Sequence, residues 1–361
     1  MDQFDGLRSL AKSGLLQGGS HVSMNRRRII AASLAACATP ALSRFARADV
    51  TTIRIGKQYG LPYLPQMVME RLKLVEKHAA KSGLPTLSVE WLSLSGPGAL
   101  NDALLSGAIE FINVGPPSVA TLWEKTRASP RPVRALCGVQ SMPYVMVTRN
   151  ATAKSIAELS EKDKIAVPTV KISAQANVLE MAAAKLWGAD NWAKLDPQTL
   201  SIGHPDAMAA LLSGQAEITT HFTVAPFYYY ELASPGMHAI LKSYDVVGGH
   251  HSNGVQVTTE PFFKDNPKIC AAVLAAHEEA NAFIHKTPRQ AAEIYAELAK
   301  DTRNSLDRLT TMIADPDVDW TTTPDKMMTF TSFLHTTGRL KALPSSWKEL
   351  FLPLVHDLKG S

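Results

Sequence analysis

From residue 52 onward, short β-branched runs alternate with stretches whose apolar residues recur every three or four positions. This alternation is the mark of an α/β protein. Residues 52–56 read as a first strand, 65–80 as a helix with Met67, Val68, Leu72, Leu74 and Val75 on its apolar side, and 87–92 as a second strand. A short helix at 99–105, a strand at 109–114, a helix at 119–126 and strands at 133–140 and 144–149 follow. The order then restarts: a short helix at 155–159, a strand at 164–167, an Ala-rich helix at 173–187, a strand at 199–202, a helix at 206–212 and a strand at 216–220 that leads into His221.

The restart carries a residue-level echo. Leu104-Leu105-Ser106-Gly107 and Glu110 match Leu211-Leu212-Ser213-Gly214 and Glu217 at a constant offset, each copy preceded by a Gly/Pro/Ala-containing turn (Gly96-Pro97-Gly98-Ala99 and Gly203-His204-Pro205-Asp206-Ala207). Leu-Leu-Ser-Gly alone is a common helix exit, because glycine is favoured just past a helix C-terminus. Matched positions in two matched strings of elements instead indicate two similar α/β units. From Pro261 the pattern is helical, at 267–285, 289–298, 305–313, 324–338 and 347–354, with amphipathic spacing that suits helices bracing the first unit.

The N-terminal 48 residues read as an extension and export signal. Residues 1–23 lack periodicity, Met24 reads as a start, and Arg26-Arg27-Arg28 precedes an apolar stretch at 29–38, a breaking Pro40 and Ala46-Arg47-Ala48 ahead of Asp49. Arg26-Arg27 with Ile29-Ile30 is similar to a twin-arginine signal. Leu34-Ala35-Ala36-Cys37 offers a lipid-anchor site as a second possibility.

Charge changes meaning once that segment is set apart. The chain has 361 residues and a formal charge of +4, which at face value suggests an acidic partner. Residues 1–48 hold seven of the 37 basic residues and two of the 33 acidic ones, so cleavage after Ala48 leaves 30 against 31 over 313 residues. With a charge near −1 and no basic stripe interleaved with aromatics, nucleic acid is not an expected partner. Cys37, Cys137 and Cys270 are too few and too far apart for a disulfide scaffold or a Cys-rich metal site.

No Gly-x-Ser-x-Gly, P-loop, Gly-x-Gly-x-x-Gly or His-Glu-x-x-His motif occurs. His250-His251 is the single adjacent histidine pair, and neighbours on a strand point apart, so hydrogen bonding rather than metal ligation is expected. Tyr228-Tyr229-Tyr230 follows Pro226 in a helix-like segment, where rings pack on a core. What remains distinctive is the set of polar, small and Pro/Gly residues after strand ends, where open α/β sheets bind ligands and helix N-termini offer free N–H groups. The candidates are Gln58 and Tyr59, Ser95 and Gly96, Gly115 and Pro116, Gln140 and Ser141, Lys171 and Ser173, and His221 and Phe222. Each has a plainer role open to it: Gln58 and Tyr59 as turn formers, Ser95 and Ser173 as helix caps, Lys171 as a solvated charge, His221-Phe222 as half core.

These loops, with Arg54-Ile-Gly-Lys-Gln-Tyr-Gly60, Asn101-Asp-Ala-Leu-Leu-Ser-Gly-Ala-Ile-Glu-Phe111, Ile165-Ala-Val-Pro-Thr-Val-Lys171 and His204-Pro-Asp-Ala-Met-Ala-Ala-Leu-Leu-Ser-Gly214, resemble the NitT/TauT (nitrate, sulfonate, taurine) family of ABC-transporter substrate-binding proteins. The likeness runs from about Thr52 to Phe351. It implies a type II periplasmic-binding fold, with residues 49–146 plus 248–361 as lobe 1, 147–247 as lobe 2, and a ligand cleft between them. It further implies a periplasmic, monomeric, non-enzymatic protein, without cofactor or metal, that closes on a small anion and delivers it to an ABC permease and its ATPase. On that pattern Ser95-Gly96 and Ser173 supply N–H donors, Gln58, Gln140 and Lys171 polar or charged contacts, Tyr59 and Phe222 walls, and His221 a hydrogen bond. An enzyme on the same scaffold, resembling thiamine-pyrimidine synthases, is the first rival, opposed by the lack of clustered cysteines. An extracytoplasmic ligand sensor is the second.

Overall fold

A computed structural model describes residues 50–214 and 217–361; the export-signal and lipid-anchor readings of 1–48 lie outside the described residues, as does the predicted start of a strand at Ala216. By internal contacts, 50–361 is one compact unit.

Lobe 1 begins with β1 (Thr52–Lys57), where Ile53 and Ile55 are fully buried while Arg54, between them, turns out to pair with Glu110 (Nη2 to Oε1 2.6 Å). Helices α1 (Leu64–Arg71) and α2 (Leu74–Lys81) follow in place of the single helix expected at 65–80. The break falls at Lys73, which takes a left-handed conformation (φ 49°). Lysine does not advertise that conformation in a sequence, so the apolar period runs through the break unmarked. Next come β2 (Ser88–Ser93), α3 (Pro97–Ser106), β3 (Phe111–Val114), α4 (Pro116–Thr126) and β4 (Val133–Ser141).

The chain then crosses to lobe 2: β5 (Val145–Thr148), β6 (Lys164–Val167), α5 (Ala174–Trp187), β7 (Thr199–Ser201), α6 (His204–Ser213), β8 (Ile218–Thr223), α7 (Phe227–Leu232), β9 (His238–Lys242) and α8 (Ser243–Val247). It returns as β10 (Ser252–Thr259), followed by α9 (Glu260–Asp265), α10 (Pro267–Lys286), α11 (Pro288–Ala299), α12 (Leu306–Ile313) and α13 (Met327–Thr336). The short helix expected at 155–159 is a single 3-10 turn, Ile156–Glu158, and that at 347–354 is two, Trp347–Leu350 and Pro353–Val355. Strands β9 and β10 and helix α8 were not anticipated. β10 is wholly buried yet carries Ser252, Asn253, Gln256, Thr258 and Thr259, so no apolar period announces it.

Two mixed sheets result, β2-β1-β3-β10-β4 and β7-β6-β8-β5-β9. Their orders are the same when read by role. In each, a parallel three-stranded unit is followed by the strand arriving from the other sheet, which runs antiparallel to both neighbours, and then by the last strand. The repeat read in the sequence is therefore structural at α3 and α6, which are both ten residues long. Each starts after a glycine N-cap (Gly96, Gly203) and ends on a left-handed glycine (Gly107 φ 79°, Gly214 φ 68°), where a side chain would be strained.

Helices close both sheets over buried side chains: one cluster runs from Ile53, Leu100 and Phe111 of the first sheet to Ala166, Leu211 and Ile218 of the second, and another gathers Val167, Val178 and Phe222. Each such fully buried side chain contributes about 1.5–3 kcal/mol relative to exposure. The C-terminal segments do more than brace lobe 1. Phe330 of α13 belongs to the lobe 2 core, and Arg339 forms a bidentate pair with the buried Glu180 of α5.

Candidate functional site: the cleft between the sheets

The parallel strands of both sheets point their carboxyl ends at one another, so the loops leaving β1, β3, β6, β7 and β8 meet across a cleft. The approach is close. Leu61 N–H donates to Ala225 O (2.8 Å), a β-carbon on Gly96 would lie 2.8 Å from Pro168 O, and one on Gly115 would lie 2.9 Å from the Ala174 β-carbon. Glycine at 96 and 115 thus permits the approach, with no positive φ involved.

At the centre lies a small cavity of about 30 Å³, lined from lobe 1 by Gln58, Tyr63, Gly115 and Asn253 and from lobe 2 by Gln175 and His204, with Tyr144 at the crossover. Among the described residues lining it, none is lysine or arginine. Gln58 also lines an adjoining groove of about 530 Å³, walled by Tyr59, Trp91, Phe227 and Tyr230 and bearing Lys57 and Arg303. Lys57 is engaged with Glu70 and lies over the Trp91 ring.

Behind the cavity on the lobe 2 side runs a buried file of polar side chains. His204 opens α6; its Nδ1 is 2.9 Å from Nε2 of His221 on β8, whose Nδ1 is 2.6 Å from Oε1 of Glu231 on α7. Burial pushes both histidines below their ordinary pKa, and the neighbouring His221 pushes His204 further. Burial likewise raises the Glu231 carboxyl well above the usual carboxylate range.

The sequence-derived candidates divide. Gln58 lines both cavity and groove, Gly115 lines the cavity, and Tyr59, 42% exposed, lines the groove. Ser95 and Gly96 sit where the lobes touch, against Gly203 and Pro168-Thr169, and Pro116 is the buried first residue of α4. Gln140 spends its amide inside lobe 1, Nε2 donating to Pro62 O (2.7 Å) and Oε1 accepting from Gly254 N–H (2.7 Å). Ser141 belongs to the crossover, bonded to Tyr244 and to His251 O. Ser173 caps α5, its Oγ accepting from Ala176 N–H (3.3 Å). Lys171 lies outside both cavity and groove, exposed in a left-handed turn facing Glu180 and Asp196. His221 and Phe222 were expected in a loop after a strand at 216–220. β8 runs on to Thr223, so both are strand residues with no exposed surface, Phe222 edge-on to Tyr144.

Tyr63, Tyr144, Gln175, His204 and Asn253 were not among the candidates. A signal existed for two of them. His204 occupies the repeat position of Pro97 at the start of α6, and Gln175 sits in the first turn of the helix that Ser173 caps. His250-His251 is hydrogen-bonded and stacked, His251 Nε2 meeting Ser243 Oγ (2.7 Å) and His250 lying on Tyr244.

No family model matches the chain, and no curated protein sequence does. Solved structures do. The periplasmic aliphatic sulphonate-binding protein SsuA of Escherichia coli superposes with a TM-score of 0.61 at 17% identity, over 84% of this chain and 92% of that one. SsuA of Xanthomonas axonopodis pv. citri, an alkanesulfonate-binding protein bound to MOPS, gives 0.61 at 13%, over 87% and 100%. The periplasmic nitrate-binding protein NrtA of Synechocystis PCC 6803 gives 0.64 at 15%, over 83% and 84%. Two five-stranded sheets of like order facing a shared cleft, with these neighbours, define the type II periplasmic-binding-protein fold.

Proposed function

We propose that this chain is an extracytoplasmic solute-binding protein of an ABC importer, which captures a small organic anion by closing residues 49–144 plus 248–361 against 145–247 and hands it to the permease and its ATPase; the division falls two residues before the expected 146/147 because Val145 and Met146 pair with β8 and β9. The observation that carries the reading is the cavity between the sheets, lined by polar side chains from both lobes and sharing Gln58 with an aromatic groove. A ligand touching both lobes favours the closed form by its differential contacts alone. The head group takes the central cavity, widened as the lobes part, and the body takes the groove beside Tyr59, Trp91 and Tyr230.

The hinge lies at 142–144 and 248–251. Ser243 and His251 bind one crossover to the other through Tyr144 N–H to Ser243 Oγ (2.9 Å) and Ser243 Oγ to His251 Nε2 (2.7 Å). The similarity of the fold to sulfonate- and nitrate-binding proteins supports a periplasmic location; export by a signal in 1–48 and a monomeric carrier without catalytic chemistry complete the proposal. Cys137 and Cys270, both buried in the lobe 1 core, supply no thiol at the cleft for the synthase-like alternative.

A thermal-shift screen of the full-length protein against alkanesulfonates, nitrate, aromatic acids and pyrimidines tests the proposal. A one-to-one ligand at a hundred times its Kd adds about 2.7 kcal/mol and raises the melting temperature. No stabilisation by any anion class contradicts it.

A further inference from the structure

The file of side chains behind the cavity ends blindly. Glu231 has no exposed surface, and among the described residues its Oε1 meets only His221 and its Oε2 has no partner. At the other end His204 stacks on Phe227 and turns Nε2 to the cavity, 3.2 Å from the Gln175 amide nitrogen.

Counting protons along this file fixes what His204 shows to the cavity. A neutral imidazole bonded at both nitrogens donates from one and accepts at the other. If Glu231 holds a proton, it donates to His221 Nδ1, His221 Nε2–H donates to His204 Nδ1, and His204 carries its hydrogen on Nε2. Moving that proton onto either histidine, to form an ion pair with the Glu231 carboxylate, leaves His204 Nε2–H in place. Only complete loss of the proton reverses the file, leaving a buried carboxylate with one unpartnered oxygen and a bare His204 Nε2. Burying such a charge without a partner is strongly unfavourable, so the protonated file prevails at neutral pH.

We propose that Glu231 and His221 are positioning residues that hold His204 Nε2–H as a hydrogen-bond donor beside the Gln175 amide, so that the cleft selects an acceptor-only oxyanion head group, sulfonate, carboxylate or nitrate, with no arginine or lysine touching it. This rests on the reading of the cleft as the ligand site. The Gln175 amide nitrogen lies 3.2 Å from His204 Nε2, and two donors so placed suit one acceptor oxygen; without a ligand the proposal requires the amide to rotate and present its oxygen to His204 Nε2–H. The groups facing the file do not replace its proton. Tyr63 and Tyr144 line the cavity, and Tyr228, Tyr229 and Tyr230 share α7 with Glu231, all raised above the ordinary tyrosine pKa chiefly by burial. Tyr229 and Tyr230 bond to Asp315 and Asp301, β9 commits His238 to Ala153 O and Lys242 to Asp317, and α6 carries Asp206 in its first turn.

Nitrogen-15 NMR of histidine-labelled full-length protein, assigned with His204→Gln and His221→Gln, reads the file without ligand. Expected at neutral pH is a protonated His204 Nε2 that loses its hydrogen as the pH is raised; a bare Nε2 at neutral pH overturns the proposal. Calorimetric Kd values for ethanesulfonate, nitrate and benzoate form the second arm. Once the proton is lost, wild-type Kd should rise about tenfold per pH unit. In Glu231→Gln, whose amide donates to His221 without titrating, Kd should stay flat. Wild-type and variant profiles of equal slope also overturn it. Binding of none of the three anions overturns the site reading itself, whereas binding with a bare Nε2 overturns only the donor file.

Discussion

Replacing Gly96 by alanine puts one methyl group into the contact between the lobes and nowhere else. The backbone tolerates it, since Gly96 is extended (φ −171°, ψ 171°). The new carbon, however, would sit 2.7 Å from Thr169 Oγ1 and 2.8 Å from Pro168 O. The threonine can rotate away and the carbonyl cannot, so the lobes must part by roughly 0.6 Å there to restore ordinary contact. Overpacking of this kind costs about 1–3 kcal/mol. Here the cost falls on the closed form alone, which corresponds to a loss of roughly 5–150-fold in ligand affinity. Gly138→Ala is the control, because its methyl would meet Thr323 O at 2.7 Å within lobe 1 and strain open and closed forms alike. The assay is calorimetric Kd together with the melting temperature of unliganded protein. Gly96→Ala should weaken binding with little change in unliganded melting, and Gly138→Ala should lower the melting temperature. Wild-type affinity in Gly96→Ala, or an unliganded loss matching that of Gly138→Ala, refutes closure by this contact.

Other outcomes follow from the same structure. Arg339→Ala strands the buried Glu180 carboxylate, and breaking such a pair costs about 3–5 kcal/mol, readable by chemical denaturation above neutral pH. In the wild type, burial raises Glu180 from 4.5 to about 7 against the pull of Arg339, so the folded protein holds a proton there that the unfolded chain has lost. Its contribution to stability therefore falls as pH rises through that window, and Glu180→Gln should flatten this part of the pH profile. Lys171→Ala should leave anion affinity within about twofold, since Lys171 is outside the cavity and a surface charge is screened. In a Cys37→Ala background, Cys137 and Cys270 should resist thiol reagents until unfolding, because burial raises both thiols, Cys270 to about 12.

The sequence made the fold legible wherever burial was apolar. β1, β3, β6 and the helices α3, α5 and α6 announce themselves by period and by glycine punctuation, and the matched Gly96/Gly203 and Gly107/Gly214 pairs carry the duplication through to equal helix lengths. β10 hid because its polar side chains find partners inside the protein, Gln256 donating to Ile112 O and accepting from His277, and Asn253 donating to Met142 O. The cleft was legible as a set of loops but not as a set of side chains. Gln140 looks like a ligand contact in sequence and is spent on Pro62 O and Gly254 N–H; Lys171 looks like the anion's counter-charge and faces Glu180 and Asp196 instead. His221 drew attention for its polarity, yet its role is to join Glu231 to His204, a relation across three elements that no local spacing encodes.

Whether the two lobes enclose a small anion is read from a crystal structure of the protein with whichever compound raises its melting temperature most. One ligand is expected between the sheets, with a head-group oxygen within hydrogen-bonding distance of His204 Nε2 and the Gln175 amide, and the body beside Tyr59, Trp91 and Tyr230. A ligand seated outside the cleft, or one that meets His204 with a donor group, contradicts this expectation.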